Sequence, residues 1–272
     1  MIDGHETFIT HLIELRDRLL RSAIAWIVVF VCLFPWANDL YSLLARPVLS
    51  ELPHGGQMIA TGVVTPFFVP VKVAMMAAFL IALPYILYQI WSFIAPGLYH
   101  HEKKFVLPLV VASVFLFACG MAFAYFLVFP VVFGFMAKVA PEGVAVMPDI
   151  NAYLDFAITM FLAFGVTFEV PIVVISLALM GMVEVEKFKE ARPYVVVGAF
   201  VIGAIFTPPD VVSQIMLAVP LWLLYELGVI VAGWLVKNRA AQEPREDPEA
   251  YKPMSMNEMD AELDRIETQD TK

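Results

Sequence analysis

From Phe105 to Ala137 the chain runs 33 residues without one charged side chain. Helices of soluble domains average about 11–12 residues, and none needs an uncharged run of this length. A helix crossing a hydrocarbon layer of about 30 Å needs about 20 apolar residues. The run therefore reads as a membrane helix with margin for tilt. Composition agrees: 61% of the 272 residues are hydrophobic and only 16% are charged, where soluble domains are about a quarter charged.

Charge-poor windows divide the chain into six spans: Leu20–Trp36, Val69–Trp91, Phe105–Met136, Leu154–Met180, Pro193–Phe206 and Val211–Val236. The windows are continuously apolar, not alternating, which excludes a β-barrel. The expected class is an all-α polytopic membrane protein. Phe8, Leu12, Leu15 and Leu19 recur at helical spacing, so residues 7–21 read as an amphipathic helix at the interface that runs into the first span. The long loop Asn38–Pro66 is expected to hold a short surface helix near Leu40–Leu49. The six-span membrane domain is taken as residues 1–236. Residues 237–272, with ten acids and six bases, form a polar tail expected to be disordered.

Six spans put both termini on one side. That side carries 14 Lys and Arg residues, and the other carries only Arg46, Lys72 and Lys138. Positive residues stay on the cytoplasmic side, so both ends are expected there. The bias does not rest on the tail: without it the ratio is 8 to 3. The net charge of −9 sits partly in that tail, and no basic face suits nucleic acid. Cys32 and Cys119 both fall in apolar blocks and read as buried small hydrophobes. No metal, cofactor or enzymatic motif appears. The His-Glu pairs at residues 5 and 101 lack the second histidine of a zinc helix.

Polar residues inside apolar windows are the candidates for function. Glu169 sits near the middle of the fourth span, where burying a charge costs about 2.5–3.5 kcal/mol on insertion scales. Such a carboxyl faces protein or a wet cavity. Glu226 and Gln214 in the sixth span are further cases, and Lys72 at the outer end of the second is expected to snorkel. The fifth span, 14 residues, covers about 21 Å, less than the bilayer thickness. Its Ala199-x-x-x-Gly203 face suits close helix approach, within the chain or to a foreign helix. Thr207-Pro-Pro-Asp210 forces a turn after it. On the cytoplasmic side, Glu14 can pair with Arg18 four residues on, and Glu102 stands in a loop beside two lysines.

Five strings in order resemble the TatC family, the polytopic receptor of twin-arginine protein translocases. They are His11-Leu-Ile-Glu-Leu-Arg-Asp-Arg18, Ile94-Ala-Pro-Gly-Leu-Tyr99 with Glu102 behind it, Phe164-Gly-Val-Thr-Phe-Glu-Val-Pro171, Arg192-Pro-Tyr194 and Thr207-Pro-Pro-Asp210. The resemblance spans roughly His5 to Val236. It implies six helices in a concave arrangement with short fifth and sixth members. It also implies binding of twin-arginine signal peptides of folded export substrates, with single-span TatA and TatB partners, in hetero- and homo-oligomers of the bacterial inner membrane, driven by the proton gradient. By position, Glu14 and Glu102 would face the paired arginines, with Phe93, Arg16 and Leu98 close by. Glu169 would be the polar point met by an inserted segment. Thr207, Asp210 and Gln214 would lie where a partner helix docks. Lys103-Lys104 and Gly97 depart from the family's usual residues without removing a role. A competing class is a solute or ion transporter with Glu169 as its proton or cation site. It predicts tolerance to loss of Glu14 and Glu102. A third, a structural scaffold, predicts that none of the three acids matters.

Overall fold

A computed structural model of the chain describes residues 3–51, 57–94, 106–139, 147–207 and 211–242, with Met256, Met259 and Ile266 as isolated positions. The described elements are helical: α1 (Asp3–Leu33), α2 (Ala37–Glu51), α3 (Thr65–Ile94), α4 (Val106–Phe123), α5 (Phe129–Val139), α6 (Ile150–Leu179), α7 (Val185–Phe206) and α8 (Val211–Gln242). Among the described residues, five stretches are long and apolar enough to cross a membrane, Thr10–Arg46, Thr65–Ile94, Leu107–Val139, Ile150–Leu179 and Val211–Arg239. The sixth helix, α7, is apolar only beyond Arg192, so its 22 residues include the short hydrophobic segment read from the sequence. Internal packing divides the chain into Met1–Gly233 and Trp234–Lys272. Because α8 continues to Gln242, the boundary expected at residue 236 falls within a helix.

The interfacial helix and the first span are one continuous helix of 31 residues. A turn of 3-10 helix at Phe34–Trp36 then leads into α2, the expected outer surface helix. Pro35 at its start is compatible with such a turn, since the first N–H groups of a helix have no internal acceptor. Leu44, Ala45 and Val48 of α2 are buried, and the Tyr125 hydroxyl donates to the Leu43 carbonyl at 2.9 Å.

The long uncharged run forms α4 and α5 joined by a π segment, Ala124–Val128. Pro130 follows it. Proline has no N–H for the carbonyl four residues back and its ring crowds that carbonyl. A π bulge accommodates the mismatch without ending the helix. The π segment packs with α5 and α6 in the main core, where Phe129, Leu154, Met160 and Phe164 are fully enclosed. An apolar cavity of about 430 Å³ lies between α2, α3 and this segment, with Leu44, Met76, Met121 and Tyr125 in its wall.

Asp149 caps the N-terminal end of α6 and ties it to the segment that leads into α3. Its Oδ1 accepts the Asn151 and Ala152 N–H groups at 2.9 and 3.1 Å, and its Oδ2 accepts the Thr61 N–H and hydroxyl at 3.0 and 2.7 Å. These bonds favour the ionised form and hold the carboxyl at about 2, below its ordinary 3.8. Lys72, expected to snorkel, finds partners within the protein. It pairs with Asp155 at 2.9 Å and donates to Asn151 at 3.0 Å, tying α3 to α6. The other end of α6 closes with Gly181 at φ 67°, as the Met182 N–H reaches back to the Leu177 carbonyl at 3.2 Å in the usual left-handed stop.

Candidate functional site

α1 packs along α3. Positions 11, 14, 18 and 22 share one stripe at 3.6 residues per turn, and this stripe carries the contacts. The His11 ring stacks on Phe93 with centroids 4.3 Å apart and planes 20° from parallel. Arg18 Nε donates to Glu14 Oε1 at 3.1 Å, and its Nη1 donates to the Gln89 carbonyl on α3 at 3.3 Å. Farther along, the Trp26 indole donates to the Met75 carbonyl at 2.8 Å. The stripe facing protein is thus polar at this end, while Leu12, Leu19 and Leu20 are exposed. That inversion suits a helix whose solvent is lipid.

The structure brings Glu14 and Phe93 to one place and adds His11 and Arg18, which the sequence reading gave no site role. Both stood in the same His11–Arg18 string, and the i, i+3, i+7 spacing from His11 was the available signal. Both Arg18 bonds to Glu14 use Oε1, and Glu14 remains 41% exposed. A second cation can therefore approach it. Arg16 is not part of this cluster. It lies about 140° around the helix from His11, is exposed, and pairs with its neighbour Asp17 at 2.8 Å. Leu98 and Glu102 lie outside the described residues.

Glu169 occupies a different place, in the packed region between α3, α4 and α6. α4 and α6 run antiparallel in close contact. A Cβ on Gly120 would lie 2.5 Å from the Phe164 carbonyl oxygen, and one on Gly165 would lie 2.3 Å from the Phe117 ring. Two turns along this seam from Gly120, Ser113 lies beside the Glu169 carboxyl. Ser113 in turn accepts the Trp91 indole N–H of α3 at 2.8 Å. Ser113 is fully buried and Trp91 nearly so. One carboxyl oxygen of Glu169, Oε1, is buried without a hydrogen-bond partner among the described residues. Trp91 and Ser113 carried no signal in the sequence, because one tryptophan and one serine in apolar helices look like ordinary packing.

The α7–α8 hairpin holds the last group. Thr207 is extended (φ −101°, ψ 156°), as a residue before proline should be. Its hydroxyl donates to the Gly203 carbonyl at 2.7 Å. Gln214 Nε2 donates to the Phe200 carbonyl at 3.0 Å. A Cβ on Gly203 would sit 3.1 Å from Gln214 Cγ, and Ala199 is buried with Ala218 and Leu221. The small-residue face of α7 is thus filled by α8 of the same chain. Asp210 lies outside the described residues. Glu226 is paired with Arg192 across the hairpin at 2.7 Å. Phe200, Ile205, Val211 and Ile215 remain exposed around it.

An all-helical body with several membrane-crossing stretches, a carboxylate–arginine cluster at one end and a half-buried carboxyl among its helices defines a polytopic membrane protein of transport type. The sequence matches the family of Sec-independent protein translocase proteins (TatC) over residues 10–220. The chain belongs to the TatC family. It is 54% identical over 227 residues to the Sec-independent protein translocase protein TatC of Azotobacter chroococcum mcd 1, covering 84% of this chain and 89% of that one. It is 51% identical over 243 residues to the TatC protein of Escherichia coli strain K12, covering 89% and 94%. A crystal structure of the twin-arginine translocase receptor TatC superposes with a TM-score of 0.75 at 37% identity, covering 83% of this chain and 99% of that one. These matches bear out a translocase component in place of a solute transporter.

Proposed function

We propose that this chain is the receptor subunit that binds twin-arginine signal peptides of folded proteins at the inner rim of the bacterial cytoplasmic membrane. Both termini face the cytoplasm. Single-span TatA and TatB partners complete the complex, which forms hetero- and homo-oligomers, and the proton motive force drives export. Its six helices form a concave body that receives the inserted segment. The chain itself performs no catalysis and carries no cofactor.

The observation that supports this reading best is the cluster of Glu14, Arg18, His11 and Phe93 where α1 meets the end of α3. Glu14 and Glu102 are assigned to the two arginines, and Phe93 and Leu98 to the surrounding apolar wall. Arg16, directed away from the cluster, is assigned to its outer edge. An arginine fork can bind a carboxylate through two parallel bonds, a geometry lysine cannot reproduce. An exposed ion pair contributes only about 0–1 kcal/mol, so headgroups and the His11–Phe93 stack must shield the pair. Glu169 is assigned as the polar point met by the inserted segment. The hairpin bearing Thr207, Asp210 and Gln214 is assigned as the docking place of a partner helix, whose contacts fall on the exposed apolar residues around those polar groups.

The test is photocrosslinking of a peptide bearing Arg-Arg to the full chain in membranes. The Glu14→Ala/Glu102→Ala double variant should insert normally and lose the crosslink, and a Lys-Lys peptide should crosslink poorly to the unaltered chain. Undiminished crosslinking in the double variant, or equal capture of the Lys-Lys peptide, rejects the assignment.

A further inference from the structure

We propose that the apolar cavity between α2, α3 and the π segment is a phospholipid site. It takes one acyl tail of a zwitterionic phospholipid of the phosphatidylethanolamine class, with the phosphate on Arg46 and the ammonium on Asp39. The cavity meets α3 between Val73 and Leu80, whereas the Glu14 cluster meets it at Gln89 and Phe93. The site therefore does not depend on the receptor reading above.

The wall selects the occupant. At about 430 Å³ the cavity is nearly three times one of about 150 Å³ that binds benzene. Among the described residues, Tyr125 supplies the one polar side chain of the lining, and its hydroxyl proton is given to the Leu43 carbonyl. That carbonyl is open to it because Pro47, four residues on, has no N–H. A buried water needs two to four polar partners, which this wall lacks. An extended peptide would bring N–H and C=O groups with nothing to pair them. A helix pairs its own, but a single turn, about 10 Å wide and 5.4 Å long, already takes about 400 Å³. A hydrocarbon tail has no polar group to satisfy, and Met76 and Met121 can bend to follow it.

The mouth and its rim select the headgroup. Leu44, Val73 and Met76 are buried at the floor, while Leu43, Phe126 and Ala122 are exposed. α3 and α4 belong to stretches that cross the membrane, so a lipid tail has direct access to this mouth. Leu43 stands between two exposed ions of α2: Asp39 one turn before it and Arg46 one turn after. Neither has an ion-pair or side-chain hydrogen-bond partner among the described residues. Asp39 has a local reason for its place, the first turn of α2; Arg46 has none. An arginine fork suits phosphate, and a carboxylate suits an ammonium. Seven residues separate the two by about 10 Å along the axis, a gap that the long Arg46 side chain can narrow to the length of a headgroup.

The test takes the full chain from vesicles of phosphatidylethanolamine that carries a diazirine halfway along one tail. After solubilisation in mild detergent and exhaustive washing, irradiation should label Met76 and Met121 and spare Val31 and Ile230, which are exposed on α1 and α8. Ala122→Trp, which plugs the mouth from an exposed position, should lower the retained lipid several-fold with helical circular dichroism unchanged. Arg46→Gln should lower it likewise, and Arg46→Lys should restore part of it. Retention equal to the unaltered chain's in Ala122→Trp, or label spread evenly over α1 and α8, overturns the site. If Ala122→Trp loses its helicity, the exposed double variant Asp39→Asn/Arg46→Gln decides by the same criterion. Phosphatidylglycerol with the same tails should be retained less, and equal retention overturns the role of Asp39. An Arg-Arg peptide that displaces the lipid and itself crosslinks to Met121 would make the cavity a peptide site and overturn the proposal.

Discussion

At residue scale, space and hydrogen bonding set sharp limits. Gly120→Ala places a methyl 2.5 Å from the Phe164 carbonyl oxygen. Such overpacking of a helix seam should cost about 1–3 kcal/mol, read as a lower thermal midpoint in detergent. Gly198→Ala meets nothing within 4 Å and should be neutral or stabilising by about 0.5–1 kcal/mol; equal effects from the two would refute the close approach. Asp149 gives a pH signature. Its carboxyl sits at about 2 in the folded chain against an ordinary 3.8. Its contribution is therefore complete above about pH 4 and disappears as pH falls toward 2. The midpoint of the unaltered chain should fall more steeply across that window than that of Asp149→Asn, whose side chain still caps α6. Parallel curves would show that the Thr61 clasp does not stabilise the ionised form. This clasp was not legible beforehand, because a loop aspartate next to a helix announces a cap but not a partner 88 positions away.

Elements show what a lipid solvent makes readable. Charge-free windows mark where hydrocarbon is, and the helices fall on them. The windows do not mark where helices end, because a helix passes from hydrocarbon to headgroups without a break in its backbone. α1 therefore continues through the expected junction at Leu20, and α7 begins at Val185, ahead of the window that opened at Pro193. The π segment was hidden for the opposite reason: Pro130 announces a disturbance, but not whether the helix kinks, stops or bulges. Lys72 looked like a snorkelling cation because its anionic partner is on another helix. For α1 the prediction concerns orientation. Val28 and Val31 are exposed while Val29 is half-buried. Spin labels at Val28 and Val31 in bilayers should be readily relaxed by dissolved oxygen, and a label at Val29 should be less accessible. Equal accessibility around the helix would mean that α1 does not pack on α3.

For the whole molecule, topology follows from counting cations. Fourteen Lys and Arg on one face of the membrane against three on the other predict that a phosphatase reporter fused after Lys272 stays inactive and a cytoplasmic fluorescent reporter folds. The reverse pattern would overturn the orientation and, with it, the rim as the place of peptide recognition. Identity was legible because five short strings occur in one order on a six-window scaffold, and the family match over residues 10–220 agrees. The chemistry around those strings was less so. Glu14, Phe93 and Glu169 stood out as acids and an aromatic in suggestive places. Their neighbours His11, Arg18, Trp91 and Ser113 emerge only when the helices are brought together.

The closing turn of α3 is gripped from two sides. Gln89 and Phe93 look toward α1, while Trp91, about 200° around from Gln89, looks toward α4. No rotation of that turn can relax one grip without disturbing the other. The His11–Phe93 stack and the Trp91–Ser113 bond thus act on one and the same helical revolution.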